Sequence, residues 1–296
     1  MAGYDTIVIG SGFGGSVMAC RLAEKGDRVL VLERGRRWTP EDYPRDLNGD
    51  WVYDPDEPHR QNGWIDLRIL DDMMVAQGAG VGGGSLIYAN ISVVPPRQVF
   101  DAGWPPEVTF EELEQHYATV GEMLNLQVLP DGQLTRRFEL MRRAATELGY
   151  GERFRKLPLA VNFDPEWSYD LEDPFDRRHA KMRPNAHGQE QGTCIHLGNC
   201  DIGCDVKAKN TLDLNYIPRA ESLGAEVRPL HVVRRIEPDG AGYQVHFDRI
   251  VDRRLVPGWE RAGRVVLAAG SFGSTELLLR CRDQYRTLPR ISGFLG

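Results

Sequence analysis

Three glycines near the start of the chain have the spacing of a phosphate-binding turn. Gly10, Gly12 and Gly15 follow a short apolar strand predicted at residues 5–9 and open a predicted helix. In this pattern the first glycine permits a tight turn, the second lets the backbone approach a diphosphate, and the third lets helix and strand pack closely. Glu33 ends the next predicted strand, where its carboxylate can accept hydrogen bonds from ribose hydroxyls. The unit predicts dinucleotide binding, and its acidic residue disfavours NADP while leaving NAD and FAD open.

Two further glycine-rich segments favour FAD. The run Gly78–Ser85 leads into Leu-Ile-Tyr-Ala-Asn90, and glycine at this density is typical of backbone pressed against a planar or phosphate group. Residues 268–276 read Ala-Ala-Gly-Ser-Phe-Gly-Ser-Thr-Glu at a late strand-to-helix turn, which directs a second helix N-terminus toward the cofactor region. Combined with the first turn, the interior glycine run indicates FAD rather than NAD.

The hydrophobic periodicity and the turn signals predict the elements that position these glycines. The predicted strands cover residues 5–9, 28–32, 226–236, 243–250 and 263–268, with a hairpin turn at Asp239-Gly240. The predicted helices cover residues 14–25, 109–125, 133–148 and 211–223. Residues 36–72 are expected to form a long irregular excursion. The uncharged stretch Met73 to Pro96 is expected to form a glycine-rich buried loop and a helix start instead of a membrane span.

Together the three segments resemble the glucose–methanol–choline (GMC) oxidoreductase family, and their sequences are most similar to its cholesterol-oxidase-like branch. The matching runs are Gly-Ser-Gly-Phe-Gly-Gly-Ser, Gly-Ala-Gly-Val-Gly-Gly-Gly-Ser-Leu-Ile-Tyr-Ala-Asn and Ala-Ala-Gly-Ser-Phe-Gly-Ser-Thr-Glu, in the order of the family. The resemblance implies covalent or non-covalent FAD, and oxidation of the CH–OH group of an apolar, sterol-like alcohol by hydride transfer to flavin N5.

The fold class expected from this resemblance is α/β. It comprises a Rossmann-like FAD-binding domain (a ββα arrangement with a β-meander) and a partial substrate or cap domain. We expect the FAD-binding domain to be discontinuous, at residues 1–98 and 192–296, and the cap segment to cover residues 99–191.

The resemblance also implies individual cofactor contacts. Glu33 is expected to hold the adenosine ribose, Val233 to contact the adenine through its backbone, and Ala269 to lie near the pyrophosphate. Gly84 and the four residues from Tyr88 to Ile91 are expected to lie along the flavin. The full set of predicted cofactor-binding residues is Gly10, Gly12, Phe13, Gly14, Gly15, Glu33, Arg34, Gly83, Gly84, Ser85, Tyr88, Ala89, Asn90, Ile91, Val233, Ala269 and Gly270.

No catalytic residue is assigned within the sequence. In the family that the chain resembles, the catalytic His and the Asn or second His paired with it lie in a C-terminal region, and this sequence ends at Gly296 before that region. We therefore expect a chain that is truncated relative to the family, lacks the catalytic base and is inactive toward alcohols on its own. The seven histidines show no metal-ligand spacing, and His231 and His246 fall in strand patterns that indicate structural roles.

A glycine-containing loop holds three of the five cysteines, Cys194, Cys200 and Cys204, with the spacing C-x5-C-x3-C. Thiolates at this spacing can ligate soft metals, and the loop resembles that of some GMC dehydrogenases with a three-iron cluster. Lys207 stands where the family usually has glycine. The alternative, which we favour over an iron–sulfur cluster, is a structural thiol loop beside the FAD-binding domain, because buried free cysteine is common.

Composition limits the compartment and the partners. The chain has 36 Lys and Arg against 43 Asp and Glu, a net charge of −7, which argues against a nucleic-acid partner. Because no basic region followed by an apolar region opens the sequence, we expect a cytoplasmic protein of steroid metabolism with a small-molecule alcohol as its substrate. A shallow peripheral membrane contact and any oligomeric state stay open.

Two other interpretations also stay open. One is a different flavoenzyme class, such as a ketosteroid dehydrogenase or a disulfide reductase, although the redox cysteine pair and NAD module of a disulfide reductase are not visible. The other is an FAD-binding fragment without catalytic activity.

Overall fold

The computed structural model describes residues 3–296. The α-helices are α1 (Phe13–Glu24), α2 (Phe110–Met123), α3 (Arg136–Glu147), α4 (Tyr216–Ser222) and α5 (Gly270–Leu279). The strands are β1 (Tyr4–Ile9), β2 (Val29–Leu32), β3 (Ile65–Ile69), β4 (Met74–Gly78), β5 (Gln127–Val128), β6 (Pro158–Leu159), β7 (Arg183–Pro184), β8 (Glu190–Gln191), β9 (Glu226–Arg228), β10 (His231–Asp239), β11 (Gly242–Val251) and β12 (Arg254–Leu267).

The chain forms two compact units. The first contains the residues up to Ile87 together with Asp201–Gly203 and Leu212–Gly296, and the second contains Tyr88–Cys200 and Cys204–Thr211. These divisions fall near the predicted boundaries but not on them. The assignment of residues 1–98 and 192–296 to FAD binding and of 99–191 to a cap stays a prediction.

A six-stranded sheet is the centre of the first unit. Its strand order is β10-β11-β12-β1-β2-β9, in which β12, β1, β2 and β9 run parallel and β10, β11 and β12 form an antiparallel meander. All four residues of β2 are buried, as in a strand covered on both faces. The predicted α/β fold, a Rossmann-like domain with a β-meander, is confirmed.

Strand β12 joins the two parts of this sheet. Its first half pairs with β11 and its last six residues pair with β1, and Ala262 is in register with both Tyr243 and Tyr4. The predicted strand at 263–268 was therefore too short. Exposed charged side chains such as Arg254 and Arg261 interrupt the apolar pattern of β12, so only its apolar end reads as a strand.

The single strand predicted at 226–236 is wrong, because the structure has two strands there. Pro229 has no backbone N–H to give to a ladder, and Leu230 adopts a left-handed φ of 60°, so the chain turns between β9 and β10. Strand β9 pairs with β2, whereas β10 pairs with β11 at the other edge of the sheet. The helix predicted at 211–223 is also shorter, since α4 begins at Tyr216 after a 3-10 turn.

A hairpin occupies the region that was expected to be irregular. Strands β3 and β4 pair antiparallel from Ile65 opposite Gly78 to Ile69 opposite Met74. The first strand lies within the predicted excursion at 36–72, and the second begins the uncharged stretch that was expected to be a loop. The expected helix start in that stretch is a 3-10 turn at Gly83–Leu86.

In the second unit, the two predicted helices begin at threonine caps. The side chain of Thr109 accepts a hydrogen bond from the N–H of Glu112 before α2, and Thr135 accepts one from Phe138 before α3. The helix predicted at 109–125 is confirmed, and the one predicted at 133–148 starts later, after its cap. Among the described residues, no helix combines the length and the apolar character that crossing a bilayer requires.

Candidate cofactor-binding site

A cavity of about 770 Å³ lies in the first unit at the carboxyl ends of three parallel strands. Ile9, Leu32 and Leu267, the last residues of β1, β2 and β12, all line it. In open α/β sheets, ligands bind in a crevice outside the carboxyl ends of the strands. The volume is within the range of small-molecule and cofactor sites.

Two helices begin at this cavity without a side-chain cap. Helix α1 follows Gly12 and helix α5 follows Ala269, neither of which caps its helix through a side chain, and neither helix has an acidic residue in its first turn. The first-turn N–H groups of a helix have no partner within the helix, and the positive end of the helix dipole adds to their attraction for a ligand. Such termini bind phosphate and other anions.

The glycines of the first turn differ in what requires them. At Gly10, φ is +93°, and a Cβ atom would lie 2.5 Å from the carbonyl oxygen of Ala268. At Gly15, a Cβ would lie 1.9 Å from the carbonyl oxygen of Gly10, so this glycine permits the close packing of α1 against the turn. A Cβ at Gly12 would meet its nearest protein atom at 3.8 Å, an ordinary contact. Because Gly12 lines the cavity, its missing side chain leaves room for a ligand, as a diphosphate would require.

Glu33 lies at the cavity with its carboxylate fixed by the turn. One oxygen, Oε2, accepts hydrogen bonds from the backbone N–H of Ser11 at 3.0 Å and from its hydroxyl at 2.7 Å, and Oε1 accepts one from the N–H of Gly35 at 2.9 Å. A carboxylate offers about four acceptor sites, so capacity remains for a ribose hydroxyl. The buried carboxylate is therefore held in place before any ligand binds.

Ser11 is a site residue that the sequence reasoning missed. Its hydroxyl donates to Glu33 and accepts a hydrogen bond from the N–H of Gly82 at 3.1 Å. One small side chain thus connects the first turn, the end of β2 and the interior glycine run. A small polar residue between two fingerprint glycines is the signal that could have indicated this role.

The interior glycine run packs directly against the first turn. A Cβ at Gly83, where φ is +52°, would lie 2.6 Å from the Cα of Gly12. Gly83 and Gly84 line the cavity. Ser85 is buried instead, where its hydroxyl donates to the carbonyl of Gly82 at 2.8 Å and accepts from the N–H of Leu212 at 3.0 Å.

The structure brings most of the predicted residues of the first unit to one cavity. Gly15 and Ser85 are not among its lining residues and support its walls. The predicted residues that line it are Gly10, Gly12, Phe13, Gly14, Glu33, Arg34, Gly83, Gly84, Val233, Ala269 and Gly270.

The four residues from Tyr88 to Ile91 belong to the second unit. Burial raises the pKa of Tyr88 to about 12, and the ammonium of buried Lys209 lies 4.7 Å from the centre of its ring. Ala89 and Ile91 are exposed, whereas Asn90 is buried with a left-handed φ of 55°. Their expected position along the flavin stays a prediction.

His231, for which the sequence indicated a structural role, lines the cavity at the start of β10. Its Nδ1 donates to the carbonyl of Pro229 at 2.7 Å, and burial lowers the pKa of its imidazole. The ring is therefore neutral near pH 7, with Nε2 as the acceptor atom.

The cysteine loop offers no metal centre. Within residues 3–296, no group of three or more His, Cys, Asp or Glu side chains is placed to hold a metal ion. The Sγ of Cys194 accepts from the N–H of His196 at 3.4 Å, that of Cys204 accepts from Ala208 at 3.2 Å, and burial raises the pKa of Cys194 to about 12. These contacts fit the structural thiol loop that was favoured over an iron–sulfur cluster of Cys194, Cys200 and Cys204.

Comparison with known proteins identifies relatives of this chain. Residues 8–52 match the model of an NAD(P)-binding Rossmann-like domain. The chain is 35% identical to a cholesterol oxidase of Acinetobacter baumannii and 36% identical to one of Mycobacterium tuberculosis, over 99% of this chain and 53% and 50% of those proteins. The chain belongs to the cholesterol-oxidase-like branch of the GMC oxidoreductases. This GMC oxidoreductase chain spans about half the length of the curated relatives it matches.

A solved structure shows the same fold. Pyridoxine 4-oxidase from Mesorbium loti aligns with 93% of this GMC oxidoreductase chain and 51% of its own, with a TM-score of 0.57 and 17% identity. The chain therefore shares the α/β fold of that oxidase.

Proposed function

We propose that this chain is the FAD-binding part of an oxidoreductase that oxidises the CH–OH group of an apolar, sterol-like alcohol. The observation that carries the proposal is the cavity at the ends of β1, β2 and β12, which is bounded by two uncapped helix N-termini and the carboxylate of Glu33. A dinucleotide has the matching groups, a central diphosphate and a ribose with free hydroxyls. FAD is favoured over NAD because the chain belongs to a family of flavoproteins.

Each part of the cavity has a role in holding this cofactor. The N–H groups at the starts of α1 and α5 would bind the diphosphate, and Gly12 would let the backbone approach it. Glu33, already fixed by Ser11 and Gly35, would accept a hydrogen bond from the ribose. Bound FAD supplies the acceptor for the hydride of an alcohol.

An apolar substrate is supported by the relatives and by the second unit. Two relatives are named cholesterol oxidases, so their printed activity is on a sterol. Ile91, at the end of the segment predicted to lie along the flavin, and Val93 and Val94, just after it, are each about half exposed. Exposed apolar side chains in one short segment are typical of a surface that contacts an apolar ligand, or a membrane that contains it.

A second candidate function is FAD binding without catalysis. It is favoured by His231, which among the described residues is the histidine that lines the cavity. The Nδ1 of His231 already donates a hydrogen bond to the carbonyl of Pro229. Val233, two residues further along β10, is proposed to contact adenine and not a substrate.

Anaerobic flavin reduction separates the two candidates. The 296-residue chain is loaded with FAD and mixed with cholesterol in detergent micelles or a long-chain primary alcohol, with glucose as the polar control. Bleaching of the visible flavin band by the apolar alcohols alone would support the oxidoreductase. FAD that binds but stays oxidised with every alcohol would support the non-catalytic candidate for the 296-residue chain, in agreement with its expected inactivity toward alcohols on its own.

A further inference from the structure

Helix α3 and the residue that ends it expose an apolar stripe to solvent. Leu140, Met141 and Leu148 are 46%, 58% and 72% exposed, and Ala144 is exposed as well. Because successive residues of a helix are about 100° apart, positions i, i+1, i+4 and i+8 lie within one third of its circumference. A helix of a globular protein normally turns such a stripe to the core, yet α3, which the structure describes in full, has no buried residue.

The side of α3 that packs against the protein is a different one. Phe138 and Ala145 are half-buried, and the ring centre of Phe138 lies 5.0 Å from that of Phe154. The cap of Thr135 holds the start of the helix, and Gly149, where φ is +80°, turns the chain after its end. The helix is therefore attached through Phe138, and its apolar stripe stays uncovered.

Basic residues accompany the apolar stripe. Residues 134–156 contain seven Arg and Lys but three Glu, a net charge of +4 in a chain whose net charge is −7. By the helical spacing, Arg137 lies within the stripe, and Arg136 and Arg143 lie along one border. Arg142 is paired with a carboxylate of its own helix. Among the described residues, by contrast, no carboxylate forms an ion pair with the three arginines of the stripe and its border.

We propose that α3 and Tyr150, an exposed aromatic residue just after it, bind the surface of an anionic lipid bilayer. A helix with exposed apolar residues on one side and arginines beside them is typical of segments that lie in the plane of a membrane interface. The apolar side chains enter the boundary between headgroups and acyl chains, and the long arginine side chains reach the headgroup phosphates. With 12 residues, α3 lies on the bilayer and does not cross it. The proposal does not depend on a cofactor in the first unit.

Charge favours this occupant over a second copy of the chain. In a symmetric dimer the same patch meets itself, so the arginines of the stripe would face their own copies, and like charges repel. A nucleic acid would match the charge but would leave the apolar stripe in water. An anionic bilayer matches both the positive charge and the apolar side chains.

Co-flotation with lipid vesicles tests the proposal on the 296-residue chain. Vesicles of phosphatidylcholine alone are compared with vesicles of equal parts phosphatidylcholine and phosphatidylglycerol, in low and in high salt. The charge variant is Arg136→Gln with Arg137→Gln, and the apolar variant is Met141→Gln with Leu148→Gln. All four positions are exposed and glutamine is a good helix former, so both variants should keep the fold, which circular dichroism checks.

Two control variants make the same chemical changes outside the second unit. Arg253→Gln with Arg254→Gln removes two charges from exposed residues at the turn between β11 and β12. Leu47→Gln with Phe294→Gln replaces two apolar side chains that are 98% and 99% exposed. A general effect of net charge or of surface hydrophobicity would appear in these controls as well.

We expect the wild type to float with the mixed vesicles and not with phosphatidylcholine alone, and to bind less in high salt, because salt screens the charges. The charge variant should lower the partition coefficient about 5- to 50-fold, since each basic residue near an anionic surface raises it about 5-fold. The apolar variant should lower it by about the same factor even in low salt, because insertion of apolar side chains does not depend on screening. Both control variants should bind as the wild type does.

Four results would overturn the proposal. A wild-type chain that does not float with the mixed vesicles in low salt does not bind lipid through this surface. Equal losses in the variants and in the controls would place the binding elsewhere. An apolar variant that binds like wild type would leave adhesion by charge alone, as to an acidic protein surface. A wild-type dimer in sedimentation velocity that the apolar variant converts to a monomer would assign the stripe to a second copy.

Discussion

Glu33 concentrates three features that rarely coincide in one side chain: a charge, burial, and hydrogen bonds from two separate turns. A buried carboxylate needs such partners, because leaving it unpaired is costly. Ser11 and Gly35 satisfy it from opposite sides, so the carboxylate has one defined position at the cavity. This fixed position is what the proposed ribose contact requires.

Glu33→Gln should weaken FAD binding about 10- to 100-fold, since a hydrogen bond to a charged group contributes about 1.5–3 kcal/mol. The amide also turns a donor toward a backbone N–H, so the free energy of unfolding should fall by about 1–3 kcal/mol. Glu24→Gln is the control, because Glu24 pairs with Arg21 on α1 and does not line the cavity. Fluorescence titration with FAD and urea unfolding measure the two effects, and equal affinities of the two variants would contradict the ribose role.

Cys194 should make stability depend on alkaline pH. Burial raises the pKa of its thiol from 9.0 to about 12, so the folded chain keeps a proton that the unfolded chain releases above pH 9. This stabilisation is complete below pH 9 and is lost as the pH rises toward 12. Between pH 8 and pH 10 the free energy of unfolding should fall by about 1 kcal/mol more in wild type than in Cys194→Ala. Urea unfolding at both values gives the difference, and parallel losses in the two proteins would show that this thiol is not responsible.

At the scale of elements, two glycines at the start of α1 have different roles: Gly15 permits close packing, and Gly12 leaves room for the cofactor. Gly12→Ala fits its backbone, with φ of −70°, and its Cβ meets only ordinary contacts, so stability without FAD should change by less than about 0.5 kcal/mol. The methyl group enters the cavity, so FAD affinity should fall about 5- to 100-fold. Gly15→Ala puts a Cβ 1.9 Å from a carbonyl oxygen and should destabilise the fold by about 1–3 kcal/mol or more.

Thermal unfolding of both variants with and without FAD checks this division. In Gly12→Ala the stabilisation added by FAD should shrink while the apoprotein keeps its melting temperature. The opposite pattern, a destabilised Gly12→Ala apoprotein with undiminished FAD binding, would place the packing role at Gly12 instead.

The first βαβ unit was predictable because its local patterns agree with its burial. Strand β2 is an unbroken run of buried apolar residues. The glycines that follow β1 have the spacing that predicts the turn before α1. Further along, the chain was harder to predict. The apolar stretch that includes Pro229 and Leu230 reads as one strand, yet the two pieces pair at opposite edges of the sheet. Which edge a short strand joins depends on long-range pairing, and local propensity carries no information about it.

The same distinction applies to the candidate site. Glycines and Glu33 were predictable because a turn of fixed chemistry places them within one short segment. The contacts of Arg34 with Tyr53 and Asp66 were not, because these residues follow it by 19 and 32 positions and reach it only in the folded chain. Contacts between residues this far apart become visible only once the chain has folded.

At the scale of the whole molecule, each of the two compact units contains a different part of the predicted cofactor contacts. The dinucleotide cavity lies within the first unit, and the residues expected along the flavin begin the second, at Tyr88. Because all residues that line the cavity belong to the first unit, the adenosine and diphosphate part of the cofactor should bind without any contact from the second unit.

The central claim is that the cavity holds FAD and not NAD. Titrating the purified 296-residue chain with each cofactor, followed by calorimetry and by the visible flavin spectrum, tests it most directly. We predict saturable binding of one FAD per chain with a perturbed flavin spectrum, and no displacement of FAD by an excess of NAD. Tight binding of NAD with no affinity for FAD would contradict the account.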